Sequence, residues 1–208
     1  MTVVLEPVKV KICGITDAPT ALAAAAAGAD ALGFVFAAGA RQVEKETVRS
    51  ICAALPPFVS RVGVFVNAPG RLVEETAAYC GLDTVQLHGE ESPAYCRSFR
   101  CRVIKAFRVR DAASLEEING YRCAAVLLDA WAPDRAGGTG RCFDWDLAAG
   151  LRPALPLVLA GGLNPENVRE AVNRIRPYAV DVSSGVETGG RKDIEKIRLF
   201  IQRAKGMC

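Results

Sequence analysis

Short runs of Val, Ile, Leu and Phe alternate along the chain with longer stretches whose apolar residues recur at helical spacing. The first run begins at Val8, ends at Cys13 and turns at Gly14, and residues 17–27 then have the pattern of a helix. The runs are apolar on successive positions, which is typical of strands in a parallel sheet covered by helices on both faces. Eight such strand–helix units follow one another at a spacing of roughly 25 residues.

The remaining elements follow from the same pattern and from Gly, Pro and capping residues at their ends. The further predicted strands are 31–36, 61–67, 84–89, 102–109, 124–128, 157–160 and 179–183. The further predicted helices are 44–55, 69–80, a short one opened by Ser92-Pro93, a weak one around 115–119, 164–174 and 191–205. The longest irregular connection, 129–143, contains Gly137-Gly138-Thr139-Gly140, and loops of that length are usually functional.

Eight units favour one α/β domain over residues 1–208, a closed parallel (β/α)8 TIM barrel, although an open doubly wound sheet uses the same units. In both architectures ligands bind at the carboxyl ends of the strands. Cys13 ends the first predicted strand, so its thiol is expected where chemistry is usually done.

The composition excludes several classes of function. The chain has 208 residues, 50% of them hydrophobic and 24% charged, with a net charge of +3 and no clustered basic stripe, so a nucleic-acid or anionic-membrane partner is not expected. The segment 18–40 carries a single charge, Asp30, and is long enough to span a bilayer. Its alanine content and the break at Gly28 favour a helix followed by a buried strand.

The cysteines indicate a reduced, cytoplasmic protein. There are 8 of them, fewer than a secreted disulfide scaffold of this length needs, and none forms a Cys-x-x-Cys pair. With His88 as the single histidine and the thiols scattered, no zinc ligand set is visible. The first residues also lack the basic start and apolar core of a signal peptide.

Two turns have the composition of a phosphate site. Gly161-Gly162 follows the seventh predicted strand and precedes Asn164 and Pro165, which can open a helix, while Ser183-Ser184-Gly185 follows the eighth strand. Glycine lets backbone N–H groups approach an anion, serine adds hydroxyl donors, and a helix N-terminus adds a favourable dipole. Loops after strands seven and eight form the usual phosphate site of such barrels.

A series of motifs distributed along nearly the whole chain resembles the successive signatures of the phosphoribosylanthranilate isomerase family. They are Lys11-Ile12-Cys13-Gly14-Ile15-Thr16, Gly33-Phe34-Val35-Phe36, Val62-Gly63-Val64-Phe65-Val66-Asn67, Val85-Gln86-Leu87-His88-Gly89, Leu127-Leu128-Asp129, Gly137-Gly138-Thr139-Gly140 with Phe143-Asp144-Trp145, the run Ala160 to Val168, and the run Asp181 to Glu187.

The resemblance implies an Amadori rearrangement in tryptophan biosynthesis. The aminoaldose N-(5′-phosphoribosyl)anthranilate opens its ribose ring and becomes the aminoketose, with an acid that protonates the ring oxygen and a base that takes the C2′ proton. The family motifs place the base at Cys13 and the acid at Asp129, and they imply no metal or organic cofactor. The implied partner is a small phosphorylated sugar–anthranilate, and monomer and homodimer both stay open.

Each of these residues also has a structural interpretation. An intracellular cysteine such as Cys13 is more often a small buried hydrophobe, and a thiolate base would need nearby positive charge, for which Lys11 lies on the same strand face. Asp129 could cap a turn, whereas as an acid it must hold its proton, and the apolar strand before it favours burial. Asp181, on the face of Ser183, resembles a substrate-orienting carboxylate or makes a structural hydrogen bond.

Three further residues complete the predicted substrate site. Arg41 matches the family arginine that faces the anthranilate carboxylate, although Ala40 replaces the serine or proline that more often precedes it, and a solvated loop arginine is the alternative. Gln86 and His88 alternate on the fourth strand and are expected to line the pocket, with a structural role as the alternative for the histidine.

Two competing functions are weaker. The related sugar isomerase of histidine biosynthesis has an aspartate at the end of its first strand and a second phosphate turn after the third. Here Cys13 occupies the first position, and Asn67-Ala68-Pro69 follows the third strand without a glycine pair. A catalytically idle phosphate-binding barrel that serves as a partner subunit would not need both Cys13 and Asp129.

Overall fold

Eight parallel strands close into a barrel in the computed structural model of the chain, which describes residues 8–109, 117–130 and 155–207. The strands are β1 (Lys9–Cys13), β2 (Ala31–Val35), β3 (Ser60–Phe65), β4 (Thr84–Leu87), β5 (Arg102–Val109), β6 (Ala125–Ala130), β7 (Leu157–Leu159) and β8 (Ala179–Val182). Each strand pairs with the next, and β1 also pairs with β8, with Lys11 beside Asp181. The predicted closed barrel is confirmed, and the open sheet is excluded.

Helices on the outside connect the strands. They are α1 (Ala18–Ala26), α2 (Lys45–Ala54), α3 (Gly70–Cys80), α4 (Pro93–Cys96), α5 (Val168–Ile175) and α6 (Ile194–Lys205). Asp17 caps α1 by accepting a 2.8 Å hydrogen bond from the Thr20 N–H, and Gly81 ends α3 in the left-handed conformation. The alanine-rich segment is therefore α1 followed by β2. Within the described ranges, no helix is both long and apolar enough to cross a membrane.

The C-terminal part differs from the prediction in two places. The regular part of helix α5 begins at Val168, four residues later than expected, but Asn164 caps the turn before it as expected: the Asn164 Oδ1 accepts from the Asn167 N–H, and the Asn167 Oδ1 accepts from the Asn164 N–H. Residues 191 and 192, predicted as the start of a helix, instead form β10 (Arg191–Lys192), which pairs with β9 (Glu187–Thr188) across Gly189-Gly190.

The structure describes the connections after β5 and β6 only in part. Of the weak helix predicted at 115–119, the residues that the structure describes belong to a 3₁₀ turn, Glu117–Gly120. The predicted glycine loop at 137–140 and the Phe143-Asp144-Trp145 motif lie outside the described residues.

The core has an inner and an outer layer that follow the alternation of each strand. The inner cluster, enclosed by the barrel, consists mainly of small residues: Ala106, Ala125, Leu127, Val158, Ala160 and Ala179. The main outer cluster joins alternate strand residues such as Val126 and Leu128 to the helices. Since side chains two apart on a strand face the same way, Asp129 shares the inner face with Leu127.

Candidate active site

One cavity at the carboxyl ends of the strands brings together every residue predicted to form the site. Its volume is about 440 Å³. The predicted residues that line it are Cys13, Arg41, Gln86, His88, Asp129, Gly161, Gly162, Asp181, Ser183, Ser184 and Gly185. These predicted residues belong to six of the strands or to the loops that follow them. They converge because parallel strands present all their carboxyl ends at one rim of the barrel.

Cys13 is almost fully enclosed at the end of β1. The residue is 7% exposed, and its neighbour across the strand pair is Gly33. A Cβ at Gly33 would lie 2.8 Å from the Cys13 Sγ, so the glycine provides the space that the thiol occupies. Burial raises the pKa of the Cys13 thiol, while the nearby Lys11 ammonium opposes that rise.

Lys11 and Asp181 form a buried ion pair next to this thiol. Their Nζ and Oδ1 atoms are 2.8 Å apart, and the two side chains are 4% and 9% exposed. Burial alone would lower the pKa of Lys11, but Asp181 and Cys13 together raise it above its usual value, so the lysine stays a cation. Asp181 therefore makes the structural contact that the sequence left open, and it also lines the cavity.

Asp129 lies near the carboxyl end of β6, lines the cavity and contacts His88. The His88 Nε2 lies 3.2 Å from the Asp129 Oδ2, and the side chains are 20% and 33% exposed, so Asp129 is less buried than the apolar strand suggested. On the other side of the ring, Nδ1 lies 3.3 Å from the Gln86 Nε2. Arg108 of β5 is in register with Asp129 and lines the same cavity.

The two predicted phosphate turns pack against each other. Gly161 and Gly162 have φ of 82° and 67°, a conformation that favours glycine. A Cβ at Gly185 would overlap the Leu163 carbonyl oxygen, so the turns touch through their backbones. The turn that Asn164 caps lies directly after Gly162, and the regular part of α5 begins at Val168.

Arg41 lies above the cavity and is already paired. Its Nε and Nη2 donate to the two carboxylate oxygens of Glu187 at 2.7 and 2.8 Å. Glu187 also accepts from the Lys192 Nζ at 2.7 Å, and Lys192 reaches the Ser183 carbonyl oxygen at 2.9 Å. These two cations outweigh the effect of burial and hold the pKa of Glu187 at about 2.

The sequence analysis missed four residues of this site: Gly33, Arg108, Glu187 and Lys192. A glycine inside a strand indicates close approach of a neighbouring group, which was the available signal for Gly33. The pair Gly189-Gly190 is a two-residue hairpin signal that would have placed Glu187 opposite Lys192. Arg108 could be found only by the register of β5 against β6.

Comparisons with known proteins find relatives along almost the whole chain. Residues 10–203 match the family model described as N-(5′-phosphoribosyl)anthranilate (PRA) isomerase. N-(5′-phosphoribosyl)anthranilate isomerase of Geobacter sulfurreducens is 57% identical over 201 residues, which cover 96% of this chain and 99% of the relative.

Two solved structures are also similar along almost the whole chain. Monomers generated from the dimeric phosphoribosylanthranilate isomerase of Thermotoga maritima are 45% identical, with a TM-score of 0.86 and coverage of 96% of this chain and 99% of that one. A phosphoribosyl anthranilate isomerase in complex with reduced 1-(o-carboxyphenylamino)-1-deoxyribulose 5-phosphate is 45% identical, with a TM-score of 0.85 and the same coverage.

Proposed function

The chain belongs to the N-(5′-phosphoribosyl)anthranilate isomerase family, and from this premise we propose how its residues divide the reaction. It converts N-(5′-phosphoribosyl)anthranilate into 1-(2-carboxyphenylamino)-1-deoxyribulose 5-phosphate, an aldose–ketose isomerisation of tryptophan biosynthesis. The observation that supports the assignment of roles is the convergence of Cys13, Asp129 and both phosphate turns on one cavity.

Asp129 and Cys13 are the proposed acid and base. Asp129 gives its proton to the ribose ring oxygen while the C1′–O bond breaks and the anthranilate nitrogen forms a protonated imine with C1′. The Cys13 thiolate then takes the C2′ proton, and the released electron pair forms the C1′=C2′ bond and neutralises the imine. The resulting enolamine tautomerises to the aminoketone, so no electrons are gained or lost.

Lys11 is the group that favours the thiolate form of Cys13. Burial raises the thiol pKa, and a base with a raised pKa is protonated for most of the time at neutral pH. The Lys11 ammonium opposes this effect, and its ion pair with Asp181 keeps it charged and fixed on the inner face of β1. Asp181 thus orients the lysine as well as lining the substrate cavity.

The remaining contacts bind the two ends of the substrate. Gly161, Gly162, Ser183, Ser184 and Gly185 offer backbone N–H groups and hydroxyls to the 5-phosphate. Arg41 binds the anthranilate carboxylate, and because Glu187 now holds its planar fork, the substrate carboxylate must share or replace that partner. Gln86 and His88 line the sugar end of the cavity.

The broader properties fit a small-molecule enzyme of the cytoplasm. The described cysteines are all free thiols, which suits a reducing compartment. Strands from both ends of the chain close one barrel, and we take residues 1–208 as a single catalytic domain. The chain is a monomer or a homodimer that needs no cofactor and no nucleic-acid or membrane partner.

Turnover of the phosphoribosyl adduct, followed through the fluorescence of its anthranilate ring, tests the proposed roles. Cys13→Ala and Asp129→Asn should each lower kcat by about two to four orders of magnitude and leave substrate binding largely intact. Cys52→Ala is a matched control, because this buried thiol lies in the outer core, where burial raises its pKa to about 12. Unchanged kcat in either active-site variant would reject the role of that residue.

A further inference from the structure

Three side chains form a hydrogen-bonded line that leads from the inside of the barrel to Asp129. The Gln86 Nε2 lies 3.3 Å from the His88 Nδ1, and the His88 Nε2 lies 3.2 Å from the Asp129 Oδ2. Gln86 is 1% exposed, and its Oε1 is buried with no hydrogen-bond partner among the residues that the structure describes. An amide held in this way normally has bonds at both ends.

The order of donors along this line follows from elementary chemistry. An amide nitrogen can only donate, so the His88 Nδ1 must accept from Gln86 with its lone pair. A neutral imidazole with a bare Nδ1 carries its proton on Nε2. The His88 Nε2–H then points to a carboxylate oxygen of Asp129. The carboxylate is the form that Asp129 takes once it has given up its proton.

We propose that His88, held in its Nε2–H tautomer by Gln86, is a positioning residue for Asp129 that stabilises the carboxylate formed when Asp129 protonates the ribose ring. The proposal rests on the proposed acid role of Asp129. It changes the expectation for Gln86 and His88, since they serve the acid rather than only the substrate.

The neighbouring charges are spread over several elements. On the side of the substrate cavity they are Cys13 of β1, Asp181 of β8, Arg108 of β5 and Arg41 of the loop after β2. On the other side of His88, a second cavity is lined by Lys105 of β5, Glu90 and Glu117. All of them are retained in the variants below, so a change in pH dependence would come from the line itself.

A pair of substitutions at His88 separates donation from packing. His88→Gln retains a side-chain N–H donor and should keep kcat within about fivefold, whereas His88→Leu should lower it by about 10- to 100-fold, as loss of an orienting partner does. KM should stay within about threefold in both, because the partner of His88 is the acid. Equal kcat in the two variants, or a change confined to KM, would overturn the proposal.

A pair of substitutions at Gln86 tests whether this residue holds His88 in its Nε2–H tautomer. Gln86→Glu places a carboxylate on Nδ1 and favours the doubly protonated ring, which stabilises the Asp129 carboxylate further. The high-pH limb of the kcat profile should therefore move to lower pH by about one unit. Gln86→Met has a similar volume and should lower kcat a few-fold at all pH values without moving that limb. Identical profiles for the two variants would contradict the role of Gln86. If Gln86→Glu does not fold, the comparison of His88→Gln with His88→Leu still tests the positioning role of His88.

A double variant distinguishes failure of this inference from failure of the proposed acid. In Asp129→Asn, the His88→Leu substitution should cause no further loss of kcat, because the two residues act through one step. Full activity of Asp129→Asn alone would reject the acid role. An inactive Asp129→Asn together with a fully active His88→Leu would reject only the positioning role.

Discussion

Two buried lysine–carboxylate pairs lie at the same end of the barrel, each with a nitrogen–oxygen distance of 2.8 Å. Lys11 pairs with Asp181 between β1 and β8, with side chains 4% and 9% exposed. Lys105, in the middle of β5, pairs with Glu91 of the loop after β4, with side chains 2% and 3% exposed. By distance and burial the two pairs are nearly the same, but the groups around them differ.

The difference lies in how many hydrogen bonds each pair makes with the backbone. Lys105 also donates to the Gly89 carbonyl oxygen at 2.6 Å, and Glu91 accepts from the N–H groups of Asn67 and Gly89. Lys11 has the Cys13 thiol as its second neighbour, and no other hydrogen bond to the Asp181 carboxylate is found in the described part of the chain. The Lys105–Glu91 pair, whose hydrogen-bonding capacity is saturated by backbone groups, holds loops together. The Lys11–Asp181 pair is not saturated in this way, so its charge remains available to the thiol and the substrate.

The largest expected effect comes from removing the cation beside the thiol. Lys11→Met takes away the charge that opposes the effect of burial, so the pKa of Cys13 should rise further and kcat should fall by at least about 100-fold. The pH dependence of Cys13 alkylation, followed by mass spectrometry of its peptide, measures the thiol directly. An unchanged alkylation profile would show that Lys11 does not act on the thiol.

The matched control removes both members of the pair. Lys11→Met alone leaves Asp181 as a buried charge without its partner, which costs about 3–5 kcal/mol of unfolding free energy. Lys11→Met with Asp181→Leu should recover most of that stability but none of the turnover. Recovery of turnover together with stability would mean that the lysine serves only the fold.

The second-largest expected effect is on stability alone and concerns the Lys105–Glu91 pair. Lys105→Met should lower the unfolding free energy by about 3–5 kcal/mol, because Glu91 is left buried and charged. The folded fraction should keep kcat/KM within about threefold of wild type, since Lys105 does not line the substrate cavity. Urea denaturation and turnover assays at the same temperature measure the two quantities.

The control for this comparison is Glu91→Gln in the Lys105→Met background. The amide is neutral and retains an oxygen that can accept from Asn67 and Gly89 N–H groups, so part of the lost stability should return. A large loss of turnover in Lys105→Met without loss of stability would contradict the distinction between the two pairs.

The sequence alone identified only part of this contrast. Lys11 could be assigned to the strand face of Cys13, because side chains two apart on a strand point the same way. Closure of the barrel was predicted and places β1 beside β8, but the register that sets Lys11 opposite Asp181, 170 residues away in sequence, required the folded structure. The Lys105–Glu91 pair was missed for the same reason, because strand register decides it.

The elements themselves were predicted well where hydrophobic pattern and local caps agree. The strand at 102–109 has the predicted bounds, and α3 ends at Cys80 before Gly81 as expected. The regular part of α5 starts four residues later than predicted, because the residues capped by Asn164 form a turn first, and local pattern fixes a helix boundary only to within a few residues. All eleven predicted site residues line one cavity, while the hydrogen-bond partners of Arg41 and Asp129 required the folded structure.

A third cation–carboxylate cluster, Arg41–Glu187–Lys192, extends the comparison and gives the next prediction. Its lysine is buried and bound to backbone, whereas the Arg41 side chain is 37% exposed above the cavity. Arg41→Ala should raise KM about tenfold, equivalent to about 1.4 kcal/mol of binding free energy, with kcat within about threefold. Arg191→Ala, an exposed arginine of the same hairpin, is the control, and unchanged KM in Arg41→Ala would count against the carboxylate contact.

The smallest expected effect is the pH dependence of stability contributed by Glu187. The pKa of this carboxyl is lowered to about 2, so the folded state is favoured wherever an unfolded glutamate would also be ionised, and the advantage is lost as the pH falls toward 2. Glu187→Gln should therefore be less stable than wild type at pH 6, with a difference that shrinks steadily between pH 4.5 and pH 2.5. Urea unfolding across this range measures the difference, with Glu195→Gln, at an exposed glutamate of α6, as the control variant. If the stability difference between Glu187→Gln and wild type were independent of pH, the charge of Glu187 would add no stability to its contacts with Arg41 and Lys192. The cluster would then hold its loops by hydrogen bonding alone.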